Sequence, residues 1–174
     1  CRCPQCRQLS PSDQQLRILN AMLEGIQQAD PQGMLAYLAY VSTLTPPQAT
    51  RPAEGIFLEY APIQRDFHRP LADERCAKNV AERSQLPALL RFFGARQAQV
   101  LEYWMDNSLY SNWKRPPQPF SLDKAVMAAD VAYYTDLGFQ SVTSFGCFLG
   151  PDYEALYGQP PLLEYGRILA EGFL

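Results

Sequence analysis

The 174-residue sequence predicts an α/β fold, the C-terminal half of a (β/α)8 TIM barrel with about four parallel strands and helices outside. Three observations predict it. Apolar strand-like runs alternate with amphipathic helical stretches, the order of a mainly parallel sheet. Helix-to-strand joints are short (Asp30 to Gly33, Gly94 to Gln97, Leu137 to Gly138), whereas strand-to-helix loops are long, polar and aromatic; a (β/α)8 barrel builds its site from such loops. No Gly-rich phosphate loop follows any strand, which weighs against a doubly wound nucleotide-binding sheet.

The elements follow in order. Ser10-Pro11-Ser12-Asp13 combines a serine N-cap, a first-turn proline and an acid at the positive end of the helix dipole. Leu16, Leu19, Leu23 and Ile26 continue at helical spacing. Met34 to Thr43 reads as a strand buried on both faces, and Ile56 to Ala61 as a second, with no helix between them. A helix is expected between about Asn79 and Phe93, restarted at Pro87 and capped by Gly94. Val100 to Met105 is the third strand. Ser121 caps a helix presenting Val126, Ala129, Tyr133 and Leu137, Ser141 to Phe148 is the fourth strand, and a last helix opens at Pro160 or Pro161.

Bulk properties exclude several function classes. Hydrophobic residues make up 47% and charged residues 19%, the balance of a globular chain. A net charge of −3 lacks the positive surface that nucleic-acid binding needs. No apolar run reaches the roughly 18 to 20 residues of a membrane span, and no secretory leader is visible. The sequence opens at Cys1, inside a cysteine motif, so residues 1–174 are expected to form a single partial domain. The upstream half of the same polypeptide is expected to close the barrel; otherwise both outer strands expose unpaired edges.

The residues with chemical potential gather after the strands. Leu-Glu-Tyr ends two apolar runs, at Leu58-Glu59-Tyr60 and Leu101-Glu102-Tyr103, while a third copy at Leu163-Glu164-Tyr165 falls in a helical stretch. An acid at a buried strand end is costly unless paired or used. Strand alternation puts Glu102, Trp104 and Asp106 on one face. If the helix-facing side of a barrel is apolar, that face points inward, and Phe57 and Glu59 join it. Three carboxylates then converge near one rim, as glycoside hydrolysis requires of two carboxyl groups about 5 to 10 Å apart. Tyr60, Trp104, Tyr110 and Trp113 supply stacking platforms for sugar rings, and Arg65 a bidentate partner for a uronic-acid carboxylate. The alternative for Glu59 and Glu102 is a structural ion pair with Arg65. His68, on the same rim, is either a substrate contact or a loop hydrogen-bonder.

Cys1, Cys3 and Cys6 pack three thiols into six residues, and Cys76 follows the second strand. Together they are a candidate structural zinc set, with Cys76 as fourth ligand. The spacing is not a paired-CxxC pattern, so a disulfide plus free thiols competes with it.

These motifs carry a resemblance. The CxCPxC start with LSPSDQ, then LAYVSTLTPP, FLEYAPIQRDFHRPL with Cys76, LEYWMDNS and SFGCFLGPDY resemble a bacterial family known as domain of unknown function 4838. The resemblance covers the C-terminal half of that domain, whose barrel is related to α-glucuronidase-type and other glycoside hydrolases. It implies a polysaccharide-degrading context, an inward-facing acid at Asp106, and Glu59 or Glu102 as its partner. The expected function is thus a glycoside hydrolase-like domain acting on a polysaccharide or uronic-acid-containing glycan, with no cofactor required beyond the candidate structural zinc. A non-catalytic carbohydrate-binding barrel is the alternative, ahead of a metal-dependent hydrolase.

Overall fold

The computed structural model describes residue 1 and residues 3–173. Four strands, β1 (Leu35–Ala39), β2 (Ile56–Tyr60), β3 (Gln99–Glu102) and β4 (Ser141–Ser144), form one sheet in the order β1-β2-β3-β4 with every pair parallel. The helices are α1 (Pro11–Ala29), α2 (Ala77–Arg83), α3 (Leu86–Phe93), α4 (Asn107–Tyr110), α5 (Lys124–Asp136), α6 (Pro151–Tyr157) and α7 (Leu162–Gly172). Strand order follows chain order without reversal. A doubly wound sheet reverses its order at the ligand crevice and carries helices on both faces; here the order and the single helical layer are those of half a (β/α)8 barrel.

Burial shows which face the helices cover. Tyr37 and Ala39 of β1, Ile56, Leu58 and Tyr60 of β2, Val100 and Glu102 of β3 and Val142 of β4 are all buried. Leu16 and Leu23 of α1, Leu86 and Leu89 of α3, and Met127, Val131 and Tyr134 of α5 complete this core. The intervening residues Ala36, Leu38, Phe57, Glu59, Gln99, Leu101 and Thr143 are half-buried or exposed. They form the other face of the sheet, which no helix among the described residues covers.

Local chemistry explains the elements. Ser10 caps α1 through its Oγ, which accepts from the Asp13 N–H at 3.0 Å, with Pro11 in the first turn. The helix between β2 and β3 breaks at Ser84 and Gln85 and restarts as α3 with Pro87 in its first turn. Gly94 ends α3 at φ 85°, a left-handed conformation that a side chain would strain. Strands are shorter than their apolar runs: Val41–Thr43 is a turn of 3₁₀ helix, and β3 stops at Glu102 rather than Met105. Apolarity after β3 reflects burial of the turn Tyr103–Met105, not extension of the ladder, whereas Val41 is exposed. Helix α5 is capped by Asp123, whose carboxylate accepts from the Val126 N–H at 3.0 Å, not by Ser121. Its buried face carries Val126, Met127, Asp130, Val131 and Tyr134, about one position away from the expected stripe. Helices α4 and α6 were not anticipated; each is short, with seven residues in α6 and four in α4.

Asp13 fastens the long connection after β1 to α1. Its Oδ1 accepts from the N–H groups of Ala49 at 2.9 Å and Thr50 at 2.8 Å, and from Gln48 at 3.2 Å. Burial alone would raise its pKa, but the Ser10 hydroxyl and these three amides outweigh that and lower it to about 2. The folded pKa lies below the unfolded one, so this stabilisation is fully present above about pH 4 and is lost as pH falls toward the folded value. Asp13→Ala is expected to cost about 1 to 3 kcal/mol near neutrality, because three amides lose their acceptor. In urea denaturation across pH, the gap between Asp13→Asn and wild type should shrink as acid is added; a gap independent of pH would refute the assignment.

Candidate functional site

Three buried charges meet at the centre of the rim. Arg65, in the loop after β2, places Nη1 at 2.6 Å from Glu102 Oε1 and Nη2 at 2.8 Å from Asp130 Oδ2, all three side chains being fully buried. Its Nη2 also donates to the Arg69 carbonyl at 2.8 Å, and its guanidinium lies 5.4 Å from the centre of the Phe67 ring. The Tyr134 hydroxyl donates to Glu102 at 2.5 Å, and the Tyr103 N–H to the other oxygen of Glu102 at 3.1 Å. Asp130 accepts from Trp104 Nε1 at 3.0 Å and from the Leu71 N–H at 2.6 Å. Asn79 of α2 anchors the Arg65 loop: Oδ1 accepts from the Asp66 N–H at 2.7 Å, and Nδ2 donates to the carbonyls of Asp66, Arg69 and Pro70.

Two carboxylates share one guanidinium. Burial raises the pKa of Glu102 and of Asp130, against the pull of Arg65. Burial would lower that of Arg65, but Glu102, Tyr134 and Asp130 together raise it. The guanidinium stays charged, and the surplus carboxylate is the group that takes up a proton first.

This cluster corrects the expected orientation of the third strand. Val100 is the register partner of Tyr60 on the helix-covered face, and Glu102 follows two residues later on that same face. Glu102 therefore points toward α5, not into the barrel interior. The premise of a purely apolar helix-facing side fails because a paired charge cluster can be buried where hydrogen bonds satisfy it. Since β3 ends at Glu102, its alternation does not extend to Trp104 or Asp106. Trp104 is buried against α5, and Tyr60 is buried with its hydroxyl donating to the Glu82 carbonyl at 3.2 Å, so neither is free to stack on a sugar. Arg65 is committed to two carboxylates and has no free fork for a uronic acid. Asp106 is buried as the N-cap of α4, its Oδ1 accepting from the Ser108 N–H at 3.0 Å and hydroxyl at 2.5 Å.

Other residues do reach the open side. Glu59 lies on the uncovered face, half-buried, and accepts from Gln99 Nε2 at 2.6 Å. At the C-terminal ends of β3 and β4, Tyr103 and Phe145 stack with ring centres 5.9 Å apart, and Phe67 meets Tyr103 edge-on at 6.2 Å. Phe145 is 45% exposed. Burial first, then the negative charge around Tyr40, Glu102, Asp106 and Glu59, pushes the Tyr103 phenol above its usual range. That ring thus sits in the field of both Glu59 and Asp106. Exposed His68 meets Tyr110 edge-on at 6.2 Å; the two line a small cavity of about 210 Å³ with Asp66, Phe67 and Lys78. Trp113 is 66% exposed.

Asp130, Tyr134 and Phe145 escaped the sequence reading, and Tyr103 was named only as part of the Leu-Glu-Tyr tripeptide. Asp130 had a signal: it is an acid inside the otherwise apolar run from Ala125 to Tyr134. Phe145 had none: it lay inside the expected fourth strand, Ser141 to Phe148, whereas β4 ends at Ser144.

The cysteines divide. The sulfurs of Cys1, Cys3 and Cys6 lie within 4.8 Å of one another. Cys76 is outside that group, buried at the N-cap of α2, so the expected fourth ligand is not brought to the other three.

Parallel strands in chain order, one helical layer and a charged cluster beneath the strand ends define a (β/α)8-type half-barrel. The chain belongs to the family described as Domain of unknown function (DUF4838), whose model matches residues 1–144, a span that reaches the end of β4. No curated protein and no solved structure matches it.

Arg65→Met is expected to destabilise the fold by about 3 to 5 kcal/mol, because it strands buried carboxylates. The loss should be greater at about pH 8 than at about pH 5, where the abandoned acids take up protons more cheaply. Chemical denaturation at the two pH values checks it; an equal loss at both would show that the carboxylates do not govern it.

Proposed function

We propose that this chain forms half of a carbohydrate-active barrel, in which the open sheet face and its aromatic rim receive a glycan for acid/base hydrolysis. The observation that carries the reading is Phe145, 45% exposed and stacked on buried Tyr103, at the C-terminal end of a sheet whose uncovered face carries half-buried Glu59. An exposed aromatic face packs against the C–H face of a sugar, and a carboxylate orients or activates its hydroxyls. Glu59 is the acid that acts on the glycan, and Asp106 is the second acid at the rim. The upstream half of the same polypeptide supplies the strands that cover the open face, and with them the opposite wall of the cleft. No cofactor enters the chemistry.

A non-catalytic carbohydrate-binding barrel is the second reading, and one observation favours it. With Glu102 tied to Arg65 and Asp106 buried as a helix cap, Glu59 is the one accessible member of the three expected acids.

The test uses the barrel with its upstream half and a panel of neutral and uronic-acid-containing oligosaccharides. Phe145→Ala should weaken glycan binding by about tenfold, the worth of a lost aromatic contact. Glu59→Gln with abolished turnover and retained binding supports hydrolysis. Binding without turnover in the wild type, weakened by Glu59→Gln, supports the binding barrel. Glycan binding indifferent to both substitutions would overturn both. Residues 1–174 alone should self-associate through the open face in sedimentation; a stable monomer would count against the missing-wall reading.

A further inference from the structure

Cys1, Cys3 and Cys6 serve neither the core nor the proposed cleft. Cys1 and Cys3 are exposed and Cys6 is half-buried. Unused cysteines are usually buried as small apolar side chains, so three solvent-accessible thiols within six residues call for a chemical rather than a packing explanation.

The backbone around them is built to hold sulfur. Cys3-Pro4-Gln5-Cys6 turns so that the Cys6 N–H points at Cys3 Sγ, 3.4 Å away. The turn is closed by the Arg7 N–H on the Cys3 carbonyl at 3.0 Å, and Cys6–Gln8 continues as 3₁₀ helix. An N–H aimed at a sulfur stabilises the thiolate, the form that binds metal. Gln14 of α1 fixes the turn from below, its Nε2 donating to the carbonyls of Cys6 at 3.0 Å and Leu9 at 3.3 Å. The three sulfurs already lie within 4.8 Å of each other. A tetrahedral zinc with Zn–S near 2.3 Å separates its sulfurs by about 3.8 Å. Small side-chain rotations cover that difference without moving the backbone.

We infer that Cys1, Cys3 and Cys6 form a three-thiolate site for a thiophilic divalent cation, with Zn²⁺ the ordinary occupant. Thiolate ligands select zinc over the hard cations magnesium and calcium. The fourth tetrahedral position takes a further donor that closes the site, and Cys76 plays no part. The three thiols lose their protons to solvent as the metal binds, with no change of oxidation state. The site is structural: it ties the segment before α1 into one rigid turn at the helix N-terminus.

The test is anaerobic titration of the reduced chain with Co²⁺, followed by displacement with Zn²⁺. One Co²⁺ per chain should bind with intense sulfur-to-cobalt charge-transfer absorption, and Zn²⁺ should erase it. Cys3→Ser and Cys6→Ser should each weaken Co²⁺ binding at least tenfold, while Cys76→Ser and Cys147→Ser bind as wild type. Because Cys76 is buried, Cys76→Ala serves if the serine variant does not fold. Circular dichroism of the metal-free Cys3→Ser and Cys6→Ser chains should match the metal-free wild type, since both residues lie in a surface turn. The inference is overturned by a reduced chain that binds no Co²⁺, by binding that survives Cys3→Ser or Cys6→Ser, by binding lost with Cys76→Ala, or by a Cys3–Cys6 disulfide in protein isolated without oxidant.

Discussion

The buried ion cluster of Arg65, Glu102 and Asp130 is the interaction on which the rim depends. It joins three pieces of chain distant in sequence: the loop after β2, the end of β3, and the middle of α5. Removing such charges from water costs several kcal/mol each, and their attraction repays this only where geometry and further hydrogen bonds are good. Here they are supplied. Glu102 receives Tyr134 and the Tyr103 amide, Asp130 receives Trp104 and the Leu71 amide, and Arg65 spends its remaining fork on the Arg69 carbonyl. Arg65 Nε alone among the guanidinium nitrogens has no partner. A well-packed apolar core of similar volume would match the cluster in stability. What charges add is direction: each hydrogen bond fixes where the loop after β2 must lie against α5.

That direction divides the sheet chemically. On the covered face, polar groups are paired off and withdrawn from solvent, which takes Glu102, Trp104 and Tyr60 out of reach of any ligand. On the uncovered face, Glu59 and Gln99 bond to each other among Leu38, Phe57 and Leu101, and the aromatic pair stands above them. The two Leu-Glu-Tyr tripeptides therefore put their glutamates on opposite faces. Residue Glu59 pairs in register with Gln99, three positions before Glu102, and an odd offset in a period-two strand reverses the side. The repeated tripeptide marks two strand ends, not a common register.

The fold was legible for physical reasons that stand out in a single sequence. Ser10-Pro11 is a capping signature that works locally, and it does cap α1. Alternation of apolar strands with helices, short joints into strands and long loops out of them follow from topology, and topology survives errors of a few residues. The site was less legible because it turns on parity. Extending β3 to Met105 carried its alternation past the point where the ladder ends, and an apolar helix-facing side was assumed where the chain buries a triad of charges. Alternation cannot reveal that Glu102 shares Arg65 with an acid on a helix twenty-eight residues away; only Asp130, an acid within the apolar run from Ala125 to Tyr134, hinted at one. Short helices such as α4 hang on a single aspartate cap and a turn, with no periodicity to read.

The rim is held from two sides by the same device, a carboxylate that gathers backbone amides. Asp13 collects those of Gln48, Ala49 and Thr50 and so fixes the connection after β1. Asp130 collects that of Leu71 and fixes the loop after β2. Long strand-to-helix loops carry many unpaired amides, and a loop with none satisfied would stay mobile. Anchoring each loop at one buried acid leaves the rest of its length free to carry side chains outward. The thiol turn ahead of α1 extends this pattern, because Gln14, the residue after Asp13, holds its carbonyls in the same turn of α1 that holds the β1 loop. A metal there would stiffen the same helix N-terminus from outside. The loops at the open face thus owe their positions to polar anchors beneath them, which is why the acids most buried at this rim hold the loops in place while Glu59 is left half-buried on the uncovered face.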